Sequence, residues 1–294
     1  MILNKNNIKE ATNLFKEVVN LGVDFKLQNN IHKKNLTINK GLRLIEKLPN
    51  KQVSIKNILK EFKKNFLPYC TNFSSPHFMG FPDAGNSVAS LSGSILSDFL
   101  QQNLISQSFC APSATFLEIS VIRWFREIVG YQNIKTTKNI LDVGGIVTSG
   151  GTMSNAIAML LARENKFPNT MKEGFSNKQA SFIVVPRGIG HYSVKSSQMW
   201  VGGGNRLLEV NTKDFKYDLV DLEKKLKKNK SKIMCLVAYA GDSRTMSIDQ
   251  FSKIAKLVKK IDPSIWLHAD ACHGFSLGFS EDLKYKISGI ELFD

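Results

Sequence analysis

The chain has 294 residues, 43% of them hydrophobic, and a formal net charge of +15. That is enough apolar material for one large domain or two modest ones, and no apolar run approaches the length of a membrane span. The four cysteines, Cys70, Cys110, Cys235 and Cys272, lie far apart with no C-x-x-C pair and no Cys/His cluster, which argues against a disulfide framework or zinc site and for free thiols in a reducing compartment.

The first residues, Met1-Ile2-Leu3-Asn4-Lys5-Asn6-Asn7, are too polar for a signal peptide. A soluble, cytoplasmic protein without a membrane partner is expected. Ile8, Ala11, Leu14, Phe15 and Val18 recur at helical spacing, and Leu42, Leu44, Ile45 and Leu48 form a second such set. Up to about Leu67 the chain therefore reads as polar helices. A loop rich in Ser, Pro and Gly over residues 74–87 looks like a boundary. We take residues 1–85 as an N-terminal helical arm with that loop, and residues 86–294 as the main domain. Residues 116–129 read as a helix that buries Leu117, Val121, Trp124, Phe125 and Ile128.

Beyond this point strand, turn and helix repeat. Gly145-Ile146-Val147-Thr148 is a short strand signal, followed by a helix carrying Met153, Ile157, Leu160 and Leu161. Phe182-Ile183-Val184-Val185 is an apolar strand ended by Pro186. Residues 233–239 are another, followed by a helix with Ile254, Leu257, Val258 and Ile261, and Ile265-Trp266-Leu267 is the last. Apolar strands alternating with amphipathic helices predict an α/β fold, a mostly parallel sheet with helices on both faces. The lysine-rich run at 224–232 sits beside the stripe Leu219, Leu222 and Leu226. It reads as a solvated helix face, and no nucleic-acid motif accompanies it, so no nucleic-acid partner is expected.

In open parallel sheets, ligands bind beyond the carboxyl ends of the strands. Four polar or Gly-rich turns follow strands here: Ser149-Gly150-Gly151-Thr152, residues 187–191, Gly241-Asp242-Ser243, and His268-Ala269-Asp270. The first leads directly into a helix. Its glycines allow close backbone approach, and the free N–H groups and dipole of a helix start suit a phosphate. A plain helix cap by Thr152 or Ser154 is the other reading of the same residues. The spacing is neither a Walker A loop nor a dinucleotide fingerprint. Gly202-Gly203-Gly204 is a weaker phosphate candidate and reads rather as a loop. Asp270, at the end of an apolar strand, needs a partner. A protonated ring nitrogen would serve, as would an ion pair or a helix cap. His191 follows a strand and a Gly-x-Gly turn. It has the chemistry to stack on a flat ring or shuttle protons.

Taken together, five collinear segments resemble the group II pyridoxal-phosphate decarboxylases, whose members act on aromatic amino acids, glutamate, cysteine sulfinate, tyrosine or diaminobutyrate. They are Ser75-Pro76-His77-Phe78-Met79-Gly80-Phe81-Pro82, Ala111-Pro112-Ser113-Ala114-Thr115-Phe116-Leu117-Glu118, Thr148-Ser149-Gly150-Gly151-Thr152-Met153-Ser154-Asn155, His191-Tyr192-Ser193-Val194-Lys195, and His268-Ala269-Asp270-Ala271-Cys272-His273-Gly274. The resemblance implies an incomplete large domain of the type I pyridoxal-phosphate transferase fold. It implies a pyridoxal 5'-phosphate cofactor, an amino-acid substrate, and decarboxylation. Gly151 and Thr152 would hold the phosphate, His191 would stack on the ring and help a proton step, and Asp270 would pair with the ring nitrogen. Cys272 stands where the family has a small alanine, and Ser243 where it often has a threonine. Phe81, Pro82 and, more weakly, Asp83 would line the substrate mouth. Phe116 departs from the acidic residue usual at its position.

The same resemblance places the Schiff-base lysine a few tens of residues after the aspartate, following a histidine. Lys195, Lys284 and Lys286 do not match that pattern. The expectation is therefore a chain lacking the lysine segment and the C-terminal small domain, working as a homodimer or with a complementing downstream chain. Two other readings stand beside it. One is a carbon–carbon lyase of the same fold, and the other is a non-catalytic remnant or regulatory scaffold.

Overall fold

The computed structural model describes residues 2–45, 49–80, 85–131, 138–176, 179 and 181–294. The chain forms two compact units, Met1–Gln101 and Gln102–Asp294. The Ser/Pro/Gly-rich loop read from sequence as a boundary lies within the first of them. Among the described residues, no helix is long and apolar enough to cross a membrane.

The first unit holds α1 (Ile8–Lys26), α2 (Ile38–Leu42), α3 (Ile55–Asn65) and α4 (Val88–Leu100). Thr37, Ser54 and Ser87 cap the last three, each side-chain oxygen accepting a backbone N–H three residues on. Buried Asn72 closes the end of α1, its amide donating to the carbonyls of Phe25, Lys26 and Gln28 at 3.1, 3.2 and 2.9 Å. The second helix is shorter than its sequence pattern predicts. It stops at Leu42, Leu44 and Ile45 lie past its end, and Leu48 lies outside the described residues. Leu42 and Ile45 are exposed, so no packing supports a longer helix, and short helices need such support.

The second unit is α/β, as expected. It runs α5 (Ala114–Ile128), α6 (Gly151–Lys166), α7 (Thr170–Glu173), β1 (Phe182–Pro186), α8 (Tyr192–Trp200), β2 (Leu207–Val210), β3 (Thr212–Lys213), β4 (Lys216–Tyr217), α9 (Leu219–Lys228), β5 (Ile233–Tyr239), α10 (Phe251–Ile261) and β6 (Trp266–Asp270). The main sheet has the order β2-β1-β5-β6, all parallel, and β3 and β4 form a separate antiparallel hairpin. β5 is buried along its whole length, which is why it reads as an unbroken apolar run. Its side chains still alternate. Leu236 and Ala238 join Val184 against Leu222 and Leu226 of α9 and Phe251, Ile254 and Val258 of α10. Cys235, Val237 and Tyr239 join Ile183 and Val185 against Met159 and Ala162 of α6 and Val194 of α8. Helices thus cover both faces, and they place the carboxyl ends of β1, β5 and β6 together at one end of the unit.

One expected strand does not form. Residues 145–148 carry no strand pairing, and Ile146 and Val147 are exposed. The Val147 N–H instead meets the Glu118 carboxylate at 3.4 Å. A strand needs a ladder partner, and among the described residues none lies beside this segment. On the open side of β6, Asp294 bonds Leu267, its N–H donating to the Leu267 carbonyl and its carboxylate accepting the Leu267 N–H, both at 2.9 Å.

Candidate active site

The start of α6 is built from glycine for a conformational reason. Gly150 has φ of +156°, a region only glycine enters readily. No side chain caps the helix. The N–H groups of Met153 and Ser154 both go to the Gly150 carbonyl, while Thr148 Oγ bonds Ser154 Oγ at 2.7 Å and takes the Gly150 N–H. The N–H groups of Gly151 and Thr152 are left as donors at the positive end of a 16-residue helix. A Cβ at Gly150 or Gly151 would meet nothing within 4 Å. The capping reading of Thr152 and Ser154 fails here, because neither caps α6. A phosphate fits this turn.

One turn further along α6, Asn155 is 5% exposed and sits at a crossing of polar groups. Its amide nitrogen lies 3.2 Å from Asp270 Oδ2 and 2.8 Å from Ser193 Oγ. Its amide oxygen lies 2.7 Å from His268 Nε2. Ser193 Oγ in turn lies 2.7 Å from His191 Nδ1, and the Ser193 N–H also donates to that nitrogen at 3.3 Å. His191 thereby caps α8. Asp270 and His191 are thus joined through two residues to which the sequence reading gave no role. Asn155 stood inside the glycine motif and Ser193 inside the histidine motif. The signal that could have found them was a polar side chain at a helix position otherwise filled by core residues.

The loop after β1 is held from below. Gly190, at φ +100°, packs so closely on Tyr239 that a Cβ would fall 2.4 Å from its hydroxyl. The His191 backbone N–H bonds the Tyr239 phenol, whose pKa burial and then the Asp270 charge push upward. Asp242 is 2% exposed and accepts the Gly190 N–H at 2.9 Å. Burial would raise its carboxyl, yet the N–H groups of Gly190, Arg244 and Thr245, with the Thr245 hydroxyl, hold it below the usual range. It therefore fastens the loop after β5 to the loop after β1. Burial draws the pKa of half-buried His268 down, with the Asp270 charge pulling the other way.

The remaining expected residues are placed as follows. Cys272 is exposed, its N–H 3.5 Å from Asp270 Oδ1, and burial and the Asp270 charge raise its thiol pKa. Ser243 is half-buried after β5, and among the described residues no hydrogen bond ties it to the Asp270 group. Phe81, Pro82 and Asp83 lie outside the described residues. The Gly202-Gly203-Gly204 turn packs on the Gln198 side chain and is a loop, as read. Lys195 is exposed on α8, and Lys284 pairs with Glu281. Beside the site, Phe125, Val147, Thr148, Ser154, Ala269 and Phe275 line a largely apolar cleft of about 440 Å³.

Residues 40–294 match the family described as the pyridoxal-dependent decarboxylase conserved domain. The chain is 24% identical over 260 residues to an aromatic-L-amino-acid decarboxylase of Bacillus atrophaeus, covering 86% of this chain and 50% of that protein. It is 26% identical over 265 residues to an L-2,4-diaminobutyrate decarboxylase of Acinetobacter baumannii, covering 84% of this chain and 50% of that one. The glutamate decarboxylase domain of a diaminobutyrate-pyruvate transaminase and L-2,4-diaminobutyrate decarboxylase from Vibrio parahaemolyticus has the same fold, with a TM-score of 0.85 at 21% identity over 100% of this chain and 64% of that structure. The chain spans half the length of the curated relatives it matches.

Proposed function

Because the chain belongs to the pyridoxal-dependent decarboxylase family, we propose that it forms the cofactor-binding part of an amino-acid carboxy-lyase. The observation that carries this reading is that α6 joins an uncapped helix start to the Asp270 carboxylate within about one turn. Its first N–H groups stand open, and one turn later Asn155 bonds Asp270. Gly151 and Thr152 receive the phosphate. Asp270 faces the ring nitrogen and keeps a proton there. His191 covers the ring and moves a proton at the reacting carbon, with Ser243 and Cys272 at the margin. Phe81, Pro82 and Asp83 are assigned to the substrate mouth on resemblance alone. Pyridoxal phosphate, when bound, supplies an electron sink for the pair left as carbon dioxide departs.

The lysine that carries the cofactor covalently is, in this proposal, supplied by polypeptide beyond these 294 residues. Two observations support that. Among the described residues no lysine amine bonds the Asp270 group, and the relatives are about twice as long. The functional assembly is proposed to be a dimer, a reading supported by the exposed apolar residues Val18 and Val23 of α1 and Leu96 and Phe99 of α4, and its compartment is proposed to be the cytoplasm.

The test is titration of the purified chain with pyridoxal phosphate and, in parallel, with pyridoxal, followed by visible absorbance and borohydride trapping. Binding of the phosphorylated form only, weakened at least tenfold by Gly151→Asp, is expected. Equal binding of both compounds would remove the phosphate role of the α6 turn. A trapped adduct on one of the chain's own lysines, together with release of carbon dioxide from an amino acid, would overturn the missing-lysine reading.

A further inference from the structure

The hydrogen-bond network around Asn155 fixes proton positions as well as side-chain positions. A carboxylate only accepts hydrogen bonds. The amide of Asn155 must therefore turn its nitrogen toward Asp270 Oδ2, since the opposite orientation sets two acceptors 3.2 Å apart. That choice commits the second amide hydrogen to Ser193 Oγ at 2.8 Å. Ser193 then holds one hydroxyl proton, and its other partner is His191 Nδ1 at 2.7 Å. The Ser193 backbone N–H points at the same nitrogen. A ring nitrogen that accepts in this way carries no proton, so neutral His191 keeps its proton on Nε2. The other end of the amide runs the same logic. Asn155 Oδ1 can only accept, so the His268 nitrogen 2.7 Å away, Nε2, is the protonated one. Burial disfavours a second proton on that ring.

We propose that Asn155 is a positioning residue, one buried amide that reads the carboxylate of Asp270 and from it sets the proton position on both His191 and His268. All three of its side-chain hydrogen bonds point the same way, and the opposite amide orientation leaves Asp270 facing an acceptor. The relay is a property of the chain without cofactor. Its consequence rests on the proposed function: Asp270 keeps one oxygen anchored and presents Oδ1, and His191 presents an N–H donor from Nε2 to what lies at the strand ends.

The experiment uses the ¹⁵N-labelled full chain without cofactor, with long-range proton–nitrogen spectra of the imidazoles. The chain has five histidines, assigned by His191→Gln and His268→Gln. Both rings are expected to show a pyrrole-like Nε2 and a pyridine-like Nδ1. Ser193→Ala should shift the His191 nitrogens toward a tautomer mixture and leave His268 as it was. Asn155→Leu should shift His268 strongly and His191 less, because the Ser193 hydroxyl that Ser193→Ala removes is still there beside Nδ1. A wild-type proton on Nδ1 of either ring, or an unchanged His268 in Asn155→Leu, overturns the relay. Should Asn155→Leu fail to fold, the Ser193→Ala contrast decides alone, with an unmoved His191 counting against the relay. Pyridoxal-phosphate binding is scored separately, so failure of the proposed function and failure of the relay are distinguishable.

Discussion

Asp249 lies under the junction of β4 and β5, 7% exposed, with Oδ1 accepting the Tyr217 N–H at 3.2 Å and Oδ2 the Tyr239 N–H at 2.9 Å. Burial outweighs these bonds and lifts its pKa from 3.8 to about 6. A carboxyl whose folded pKa exceeds its unfolded value binds its proton more tightly in the native state. Its effect on stability is therefore most favourable below 3.8 and is lost as pH rises through about 6. The whole span is worth about 3 kcal/mol, of which roughly 1.4 kcal/mol falls between pH 5 and 7.5. His268, whose pKa is lowered, works in the opposite sense over part of that window, so wild type alone cannot isolate the effect. Urea denaturation of wild type and Asp249→Asn at pH 5, 6, 7 and 7.5 does so by difference. Wild type should lose about 1.4 kcal/mol relative to the variant across the series. The variant itself should be less stable at every pH, because its amide sets an N–H group against a backbone donor. Parallel stability curves for the two proteins would refute the reasoning. The stakes reach the site, since Asp249 holds the end of β5 from which Tyr239 supports Gly190 and His191.

Gly190→Ala should cost roughly 2–5 kcal/mol, from left-handed backbone strain and a clash with the Tyr239 hydroxyl, and denaturant midpoints check it. Gly150→Ala meets no side chain but must hold φ at +156°. It should cost about 1–3 kcal/mol and weaken pyridoxal-phosphate binding by titration. Tyr217→Phe removes a buried hydroxyl that donates to the Val237 carbonyl at 2.7 Å. A loss of about 1–2 kcal/mol in thermal or urea unfolding is expected, without change in cofactor binding.

Much of the second unit was legible in the residues. The apolar runs at Phe182-Ile183-Val184-Val185 and over residues 233–239 became β1 and β5 almost to the residue, because a strand buried on both faces has no room for polar side chains. The rule that ligands gather beyond strand ends singled out His191 and Asp270, which the structure links through Ser193 and Asn155, whereas the strand expected before Gly151 does not form. The family resemblance rested on the same segments, and the match over residues 40–294 bears it out.

Pairing was another matter. Residues 145–148 have the composition of a strand and form none, because composition is local while a ladder needs a neighbour that the chain must bring from elsewhere. The same limit hid Asn155. In sequence it is one polar residue on an apolar helix face, 38 positions from Ser193 and 115 from Asp270. Local patterning determined the buried strands and most of the helices of the second unit. Only the tertiary structure decided that α6, α8 and β6 meet at one buried amide, since contacts between distant elements leave no periodic trace in the chain.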